Sequence, residues 1–161
     1  MTSAFYIFSQ APEWFKQQCQ DMSQHKERPD YHPEPSVWDH LNIVAYRCSL
    51  HNNPNLVLTA WLHDSFKLIL TEINPKTGYP TAPGHDKAAA ELVRTNEDIQ
   101  KWIINCGGDV ECVEWLCAQH MRINSMDEMR PKKRRDLENH KWFPLLQTFH
   151  QADDMTTFMD L

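Results

Sequence analysis

The chain has 161 residues, 41% of them hydrophobic and 24% charged, with a formal net charge of -6. That is the composition of one globular domain with room for a buried core, expected to span residues 1–161. The charge argues against a protein that coats nucleic acid, and no run approaches the roughly 18 apolar residues of a membrane span.

Nine histidines stand against only four glycines, a balance that suits helices joined by short turns. Cys19, Cys48, Cys106, Cys112 and Cys117 form an odd set without a CxxC, which favours reduced, buried thiols over a disulfide framework or a structural zinc finger. "SAFYIF" near the start lacks the basic flank of a signal peptide, so a cytoplasmic address is expected.

In chain order, "PEWFKQQCQDMSQ" opens with a proline suited to a first helical turn and ends in a polar loop holding Pro29, Pro33 and Pro35. Ser36 is placed to cap a helix through about Leu50, with Val37, Leu41, Val44 and Cys48 on one face. Asn53 and Pro54 start the next, which carries "TAWLHDSFK" and is expected to run to about Phe66. "LILTEINPKTGYPTAP" has β-branched residues on either side of a Pro-Lys-Thr-Gly turn and predicts a two-stranded flap or an ordered loop. Helical pattern resumes at Gly84 and continues to the C-terminus, with breaks near Cys106 to Asp109 and Asn124 to Pro131. The expected architecture is an all-α compact helical bundle with a short β-hairpin or loop insertion near residues 68–82.

A His-Asp dipeptide is close to a chance event in a chain with nine histidines, and this one holds two, at His63-Asp64 and His85-Asp86. The helical positions are more telling. His40 flanks the stripe of Val37 and Val44; His63 continues Leu56 and Ala60; Asp64 continues Val57, Ala60 and Trp61. His85 heads Ala88, Ala89 and Leu92, His120 ends Val110, Val113 and Cys117, and Asp153 completes Trp142, Leu146 and Phe149, while Asp154 turns toward solvent. A single histidine on an apolar face is commonly a core residue satisfied by a backbone carbonyl. Two buried carboxylates with no lysine or arginine on the same stripes are costly, and a metal ion removes the cost. Imidazole and carboxylate suit a divalent transition metal: manganese, nickel, cobalt, iron or zinc.

The order His40, His63-Asp64 with Lys67, His85, His120, Asp153 resembles the signature of the HD-domain metal-dependent phosphohydrolases. "HPEPSVWDH" is similar to the "HPE...H" segment of the HD domain in bacterial tRNA nucleotidyltransferases, "WLHDSFK" to "LLHDLGK", "GHDKAAAELV" to "GH...GA.LV" and "QADDM" to the closing "AD". The likeness covers about residues 32–155. It implies that His40, His63, Asp64 and Asp153 hold a first divalent metal and that Asp64 bridges to a second at His85 and His120. With a single ion, those two histidines would instead be phosphate donors. Two departures stand out: "QHM" lacks the doubled histidine of many binuclear members, and Phe66 replaces the usual glycine before Lys67, which would reshape the phosphate end of the pocket.

The implied activity is hydrolysis of a phosphomonoester or phosphodiester of a nucleotide, with 2',3'-cyclic nucleotides one class by resemblance, using metal-activated water. Asp64 and Lys67 are the catalytic candidates. Lys67 is placed to bind a phosphate oxygen or steady the leaving group, unless it is a solvated lysine closing a helix. Arg122 is a candidate substrate contact with a surface role as its alternative. Substrate choice is sought in Tyr79 and Lys76 of the flap and in the basic run Arg130 to Arg135, which would steer a nucleotide or RNA end but equally suits a solvated helix start. The alternatives are a nucleotide-sensing module with the same metal pocket and an interaction protein with a structural metal. Expected partners are a nucleotide or other phosphorylated small molecule, and no membrane; oligomeric state stays open.

Overall fold

Side-chain caps set the start of five of the ten described α-helices. The computed structural model describes residues 3–24, 36–78 and 80–154, so the "HPEP" run at residues 32–35, Pro29 and Tyr79 lie outside the described residues. Helix α1 (Ala4–Ser9) begins where Ser3 accepts the Tyr6 amide, and α2 (Glu13–Asp21) follows Pro12 and tightens into a 3-10 turn at Met22–Gln24. The Ser36 hydroxyl accepts the Asp39 amide at 3.2 Å and opens α3 (Val37–Ser49). Asn53 caps α4 (Pro54–Leu62), with Pro54 in its first turn. The short α5 (Lys67–Leu70) leads into β1 (Glu72–Ile73), which pairs antiparallel with β2 (Pro80–Thr81), Glu72 facing Thr81. Then come α6 (His85–Thr95), α7 (Glu97–Asn105) capped by Asn96, α8 (Val110–Gln119) capped by Asp109, a 3-10 segment at Arg122–Glu128, α9 (Pro131–Glu138) and α10 (Phe143–Asp153). The all-α bundle with one hairpin insertion is the architecture observed.

Helix α4 is the axis of the molecule. Every residue from Leu56 to Leu62 is buried, the mark of a helix enclosed on all sides. Helices α3 and α8 pack on it, α6 packs on α8, and α10 lies across α3, α4 and α8. The sequence pattern did not announce α1; two buried tryptophans hold it, Trp61 donating to the Ala4 carbonyl at 3.1 Å and Trp102 to the Ile7 carbonyl at 2.8 Å. A smaller apolar cluster of Cys112, Leu116, Leu137, Phe143 and Leu146 joins α9 and α10 to α8.

One boundary needs correction. Helix α4 stops at Leu62 rather than near Phe66. The His63 amide still bonds the Thr59 carbonyl at 2.8 Å, but the Ser65 and Lys67 amides reach only three residues back, to Leu62 and Asp64, each at 3.1 Å. The Ser65 hydroxyl also donates to the Leu62 carbonyl at 2.8 Å, so a side chain competes for the last helical acceptor and tightens the chain into turns. His63 therefore closes α4 with right-handed helical angles, and Asp64 enters the turn that follows it. Among the described residues no helix is long and apolar enough to cross a membrane. All five cysteines are free thiols and four are buried.

Candidate metal centre

Helix ends deliver most of the cluster. His63 is the C-cap of α4 and Asp64 follows it; His85 is the first residue of α6, His120 the C-cap of α8, and Asp153 the last residue of α10. Only His40 comes from mid-helix, in α3. The carbonyls in the last turn of a helix lack intrahelical partners. His63 and His120 use them, donating Nδ1–H to Ala60 and Cys117 at 2.7 Å each, and His85 donates in the same way to Ala82 at 2.8 Å. A carbonyl only accepts, so the Nδ1 proton is fixed on all three rings and Nε2 is left as the ligand atom.

Those Nε2 atoms converge on two carboxylates. His40 Nε2 lies 2.8 Å from Asp153 Oδ1 and 3.3 Å from Asp64 Oδ2, while His63 Nε2 lies 3.1 Å and 3.2 Å from the same oxygens. Two ligands about 2.1 Å from one ion and about 90–110° apart are separated by roughly 3.0–3.4 Å. The four side chains are thus spaced as edges of one coordination shell, and this group could hold a metal ion. The second oxygen of Asp64 faces the other way. Its Oδ1 is 3.1 Å from His85 Nε2 and 3.8 Å from His120 Nε2, a second group of ligand type. Both of these Nε2 atoms are buried without a hydrogen-bond partner. A neutral imidazole nitrogen facing a carboxylate oxygen puts lone pair against lone pair, and a cation between them resolves the conflict.

The protonation pattern carries the same demand. Burial pushes the His63 imidazolium down, but the charges of Asp64 and Asp153 outweigh it and raise the group to about 9. His85 is also raised, the adjacent Asp64 overcoming burial. Burial pushes both carboxyls up, yet the His63 charge, joined at Asp64 by Lys67, holds them well below the usual carboxylate range. His120 goes the other way: burial and then the His63 charge depress it to about 4. Two carboxylates share one pocket with imidazoles that cannot all be protonated together, a setting that a divalent ion satisfies.

The candidates outside the ligand set divide. Lys67 is buried with its ammonium 3.3 Å from Asp64 Oδ2. Asp153 keeps 20% of its side-chain surface exposed, against 11% for Lys67 and 8% for His85, so the cluster opens on this side. Arg122 is exposed and donates to Gln119 Oε1 at 2.8 Å, outside the His/Asp cluster. Lys76 is exposed at the hairpin tip, where its amide bonds Asn74. The run from Arg130 to Arg135 opens α9 with exposed side chains, of which Arg134 pairs with Asp127 and Glu138. Phe66 sits at φ -100°, ψ 2° and packs against the core, so a side chain at this position brings no backbone strain.

Two structural supports escaped the sequence reading. Arg47 is buried, contrary to the expectation that no basic residue shares the stripes, and its Nη1 donates to the carbonyls of Ala152 and Asp154, each at 3.1 Å. It brackets Asp153, and the half-buried Asp154 contributes its carbonyl rather than simply turning to solvent. The 40, 44, 47 spacing on α3 was its available signal. Gln18 of α2 donates to the Ser65 carbonyl at 2.6 Å and steadies the turn behind Asp64; nothing in the sequence marks a contact across 47 residues. Comparison with protein-family models, curated proteins and solved structures found no match for this chain.

Proposed function

We propose that the chain is an HD-type metal-dependent phosphohydrolase that cleaves a phosphomonoester or phosphodiester of a nucleotide. The observation that carries this reading is the placement of Asp64, with Oδ2 in the group of His40, His63 and Asp153 and Oδ1 against His85 and His120. A carboxylate shared between two ligand groups suits the paired-ion arrangement of phosphoester hydrolysis. The motif order from His40 to Asp153 supports the same assignment.

A divalent ion bound there supplies Lewis acidity, lowering the pKa of water and screening phosphate charge. The chain does the rest. Fixed Nδ1 protons hold the imidazoles in their ligating tautomers, so little reorganisation is needed when charge develops. Lys67, at the open side, places a cation where a phosphate oxygen or leaving group arrives. Buried Phe149, its ring 5.0 Å from that of His63 and 6.3 Å from that of His120, lays an apolar surface against the cluster and keeps water from that face.

The test is metal analysis of the purified protein, followed by a nucleotide panel that includes 2',3'-cyclic and terminal phosphates with manganese, nickel or cobalt added. Metal-dependent release of phosphate or ring opening is expected, and Asp64→Ala should lower it by about 100-fold or more. Hydrolysis untouched by Asp64→Ala would sink the mechanism. Tight nucleotide binding with no product after long incubation would replace it with a sensing role.

A further inference from the structure

We propose that the surface built by the end of α8, the 3-10 segment and α9 binds a single-stranded oligonucleotide, at a site separate from the His/Asp cluster. The starting observation is a cavity of about 280 Å³ lined by Trp115, Gln119, Arg122, Lys133, Asp136 and His140, among others. It brings together two cations that lie eleven residues apart in the chain, Arg122 and Lys133. Trp115 and His140 stack with ring centroids 4.0 Å apart and planes 12° from parallel; Trp142 lies 6.3 Å from Trp115 with Lys141 over its ring at 4.3 Å. Cations interleaved with aromatic rings form the surface that tracks a nucleic-acid backbone and stacks its bases.

Charge points the same way. Residues 122–141 carry seven Lys or Arg against four Asp or Glu among the residues flanking and following the basic run, in a chain whose net charge is -6. Asp127 and Glu138 are paired with Arg134, and Asp136 is the one acid in the cavity wall. Arg130, Lys132, Lys133 and Arg135 have no ion pair among the described residues and are exposed. A local positive field on an acidic protein selects a polyanion without drawing it to the rest of the surface. A phosphopeptide would use the cations and leave the rings idle. A lipid surface needs several exposed large apolar side chains to enter it, and among the described residues this surface offers one, Met121.

Helix α8 links this surface to the cluster. Trp115 and Gln119 face the cavity while His120, one residue on, turns its Nε2 to Asp64. That a strand held here is also the substrate rests on the phosphohydrolase reading.

Fluorescence anisotropy of a labelled eight-nucleotide oligouridylate with the full chain tests the inference. Binding is expected, with affinity reduced at least about ten-fold in Arg122→Glu/Lys133→Glu and the log–log salt slope lowered by about 1.4, the change that follows when two phosphates are no longer neutralised. Trp115→Phe, which keeps a ring in the wall, should bind more tightly than Trp115→Ala; because Trp115 also packs on the small core, the charge-reversed surface variant keeps the test independent of folding. No binding, or binding indifferent to the charge reversal, overturns the proposal. So does equal competition by a phosphopeptide or by phosphatidylserine vesicles with the same dependence on Lys133. Binding lost in Asp64→Ala but kept in the charge-reversed protein would put the strand in the cluster, ending this inference and leaving the phosphohydrolase reading intact. Charge-dependent binding with no hydrolysis of any phosphoester leaves the inference standing and ends the other.

Discussion

Arg47 aims a carboxylate without belonging to the ligand set. Its guanidinium bonds the carbonyls of Ala152 and Asp154, on either side of Asp153, and so fixes the last turn of α10 against α3. Arg47→Met removes these donors and frees Asp153 to swing toward the open side. Calorimetric titration with manganese should show affinity lower by about 10- to 100-fold, the size of effect seen when the groups that orient a metal's ligands are removed. The two carbonyls left short of donors should cost about 1–3 kcal/mol of stability, read from urea unfolding. Unchanged metal affinity at reduced stability would make Arg47 a purely structural residue. On the phosphohydrolase reading Lys67 makes the opposite prediction, because its ammonium meets the carboxylate shared by the two ligand-type groups without being a ligand itself. Lys67→Met should leave metal binding within a few-fold and lower kcat by about 100-fold, a split visible by measuring both on one preparation. His40, His63, Asp64 and Asp153 were legible because helical spacing set imidazoles and carboxylates among apolar residues. Arg47 lies on the same stripe but has the side chain least expected inside, and the acceptors that keep it there come from 105 and 107 residues away.

Elements position the ligands through their ends, and there the sequence was an uneven guide. Caps at Ser36 and Asn53 were readable because short polar side chains followed by apolar periodicity have one common use. The end of α4 was not, since "HDSFK" still scans as helix and only the Ser65 hydroxyl on the Leu62 carbonyl shows why it stops. The break between α7 and α8 is the clearest case where chemistry dictates geometry. The Gly107 amide bonds Ile104 and the Gly108 amide bonds Ile103, at 3.0 Å and 2.8 Å, the two bonds that close a helix on a left-handed residue; Gly107 has φ +83°. At Gly108 a methyl group would lie 2.6 Å from Leu58 Cδ1, 2.9 Å from Ile103 Cγ2 and 3.1 Å from the Ile103 carbonyl oxygen. Leu58 belongs to the buried axis helix and has little room to yield. Gly108→Ala should therefore destabilise by about 1–3 kcal/mol through overpacking, measurable as a lower urea midpoint at unchanged slope. Equal stability would mean that α4 and α7 repack around the methyl group.

The whole molecule links metal, protons and stability. In the metal-free protein His63 is raised to about 9 from an ordinary 6.5, so its pairing with Asp64 and Asp153 stabilises fully below about pH 6.5 and is lost as pH rises through 9. His120 is depressed to about 4, so the folded state resists its protonation, and that contribution is present above about pH 6.5 and lost as pH falls toward 4. The carboxyls of Asp64 and Asp153, held well below their ordinary range, add to the loss on the acid side. The two histidine windows meet near pH 6.5, so stability of the metal-free chain should peak around there and decline on both sides. A bound divalent ion takes over the role of the His63 proton. Its binding should release protons near neutral pH, strengthen as pH rises toward 9, and cancel the alkaline decline, because the ligated imidazole has no proton left to lose. Thermal melts across pH 5 to 9, with and without about a hundred-fold excess of metal over its Kd, put this to measurement; the added stability at that excess is about 2.7 kcal/mol. A metal-induced shift in Tm that is flat with pH would mean that the ion does not displace the His63 proton. The ligands would then lie elsewhere than in the cluster that α3, α4, α6, α8 and α10 bring together.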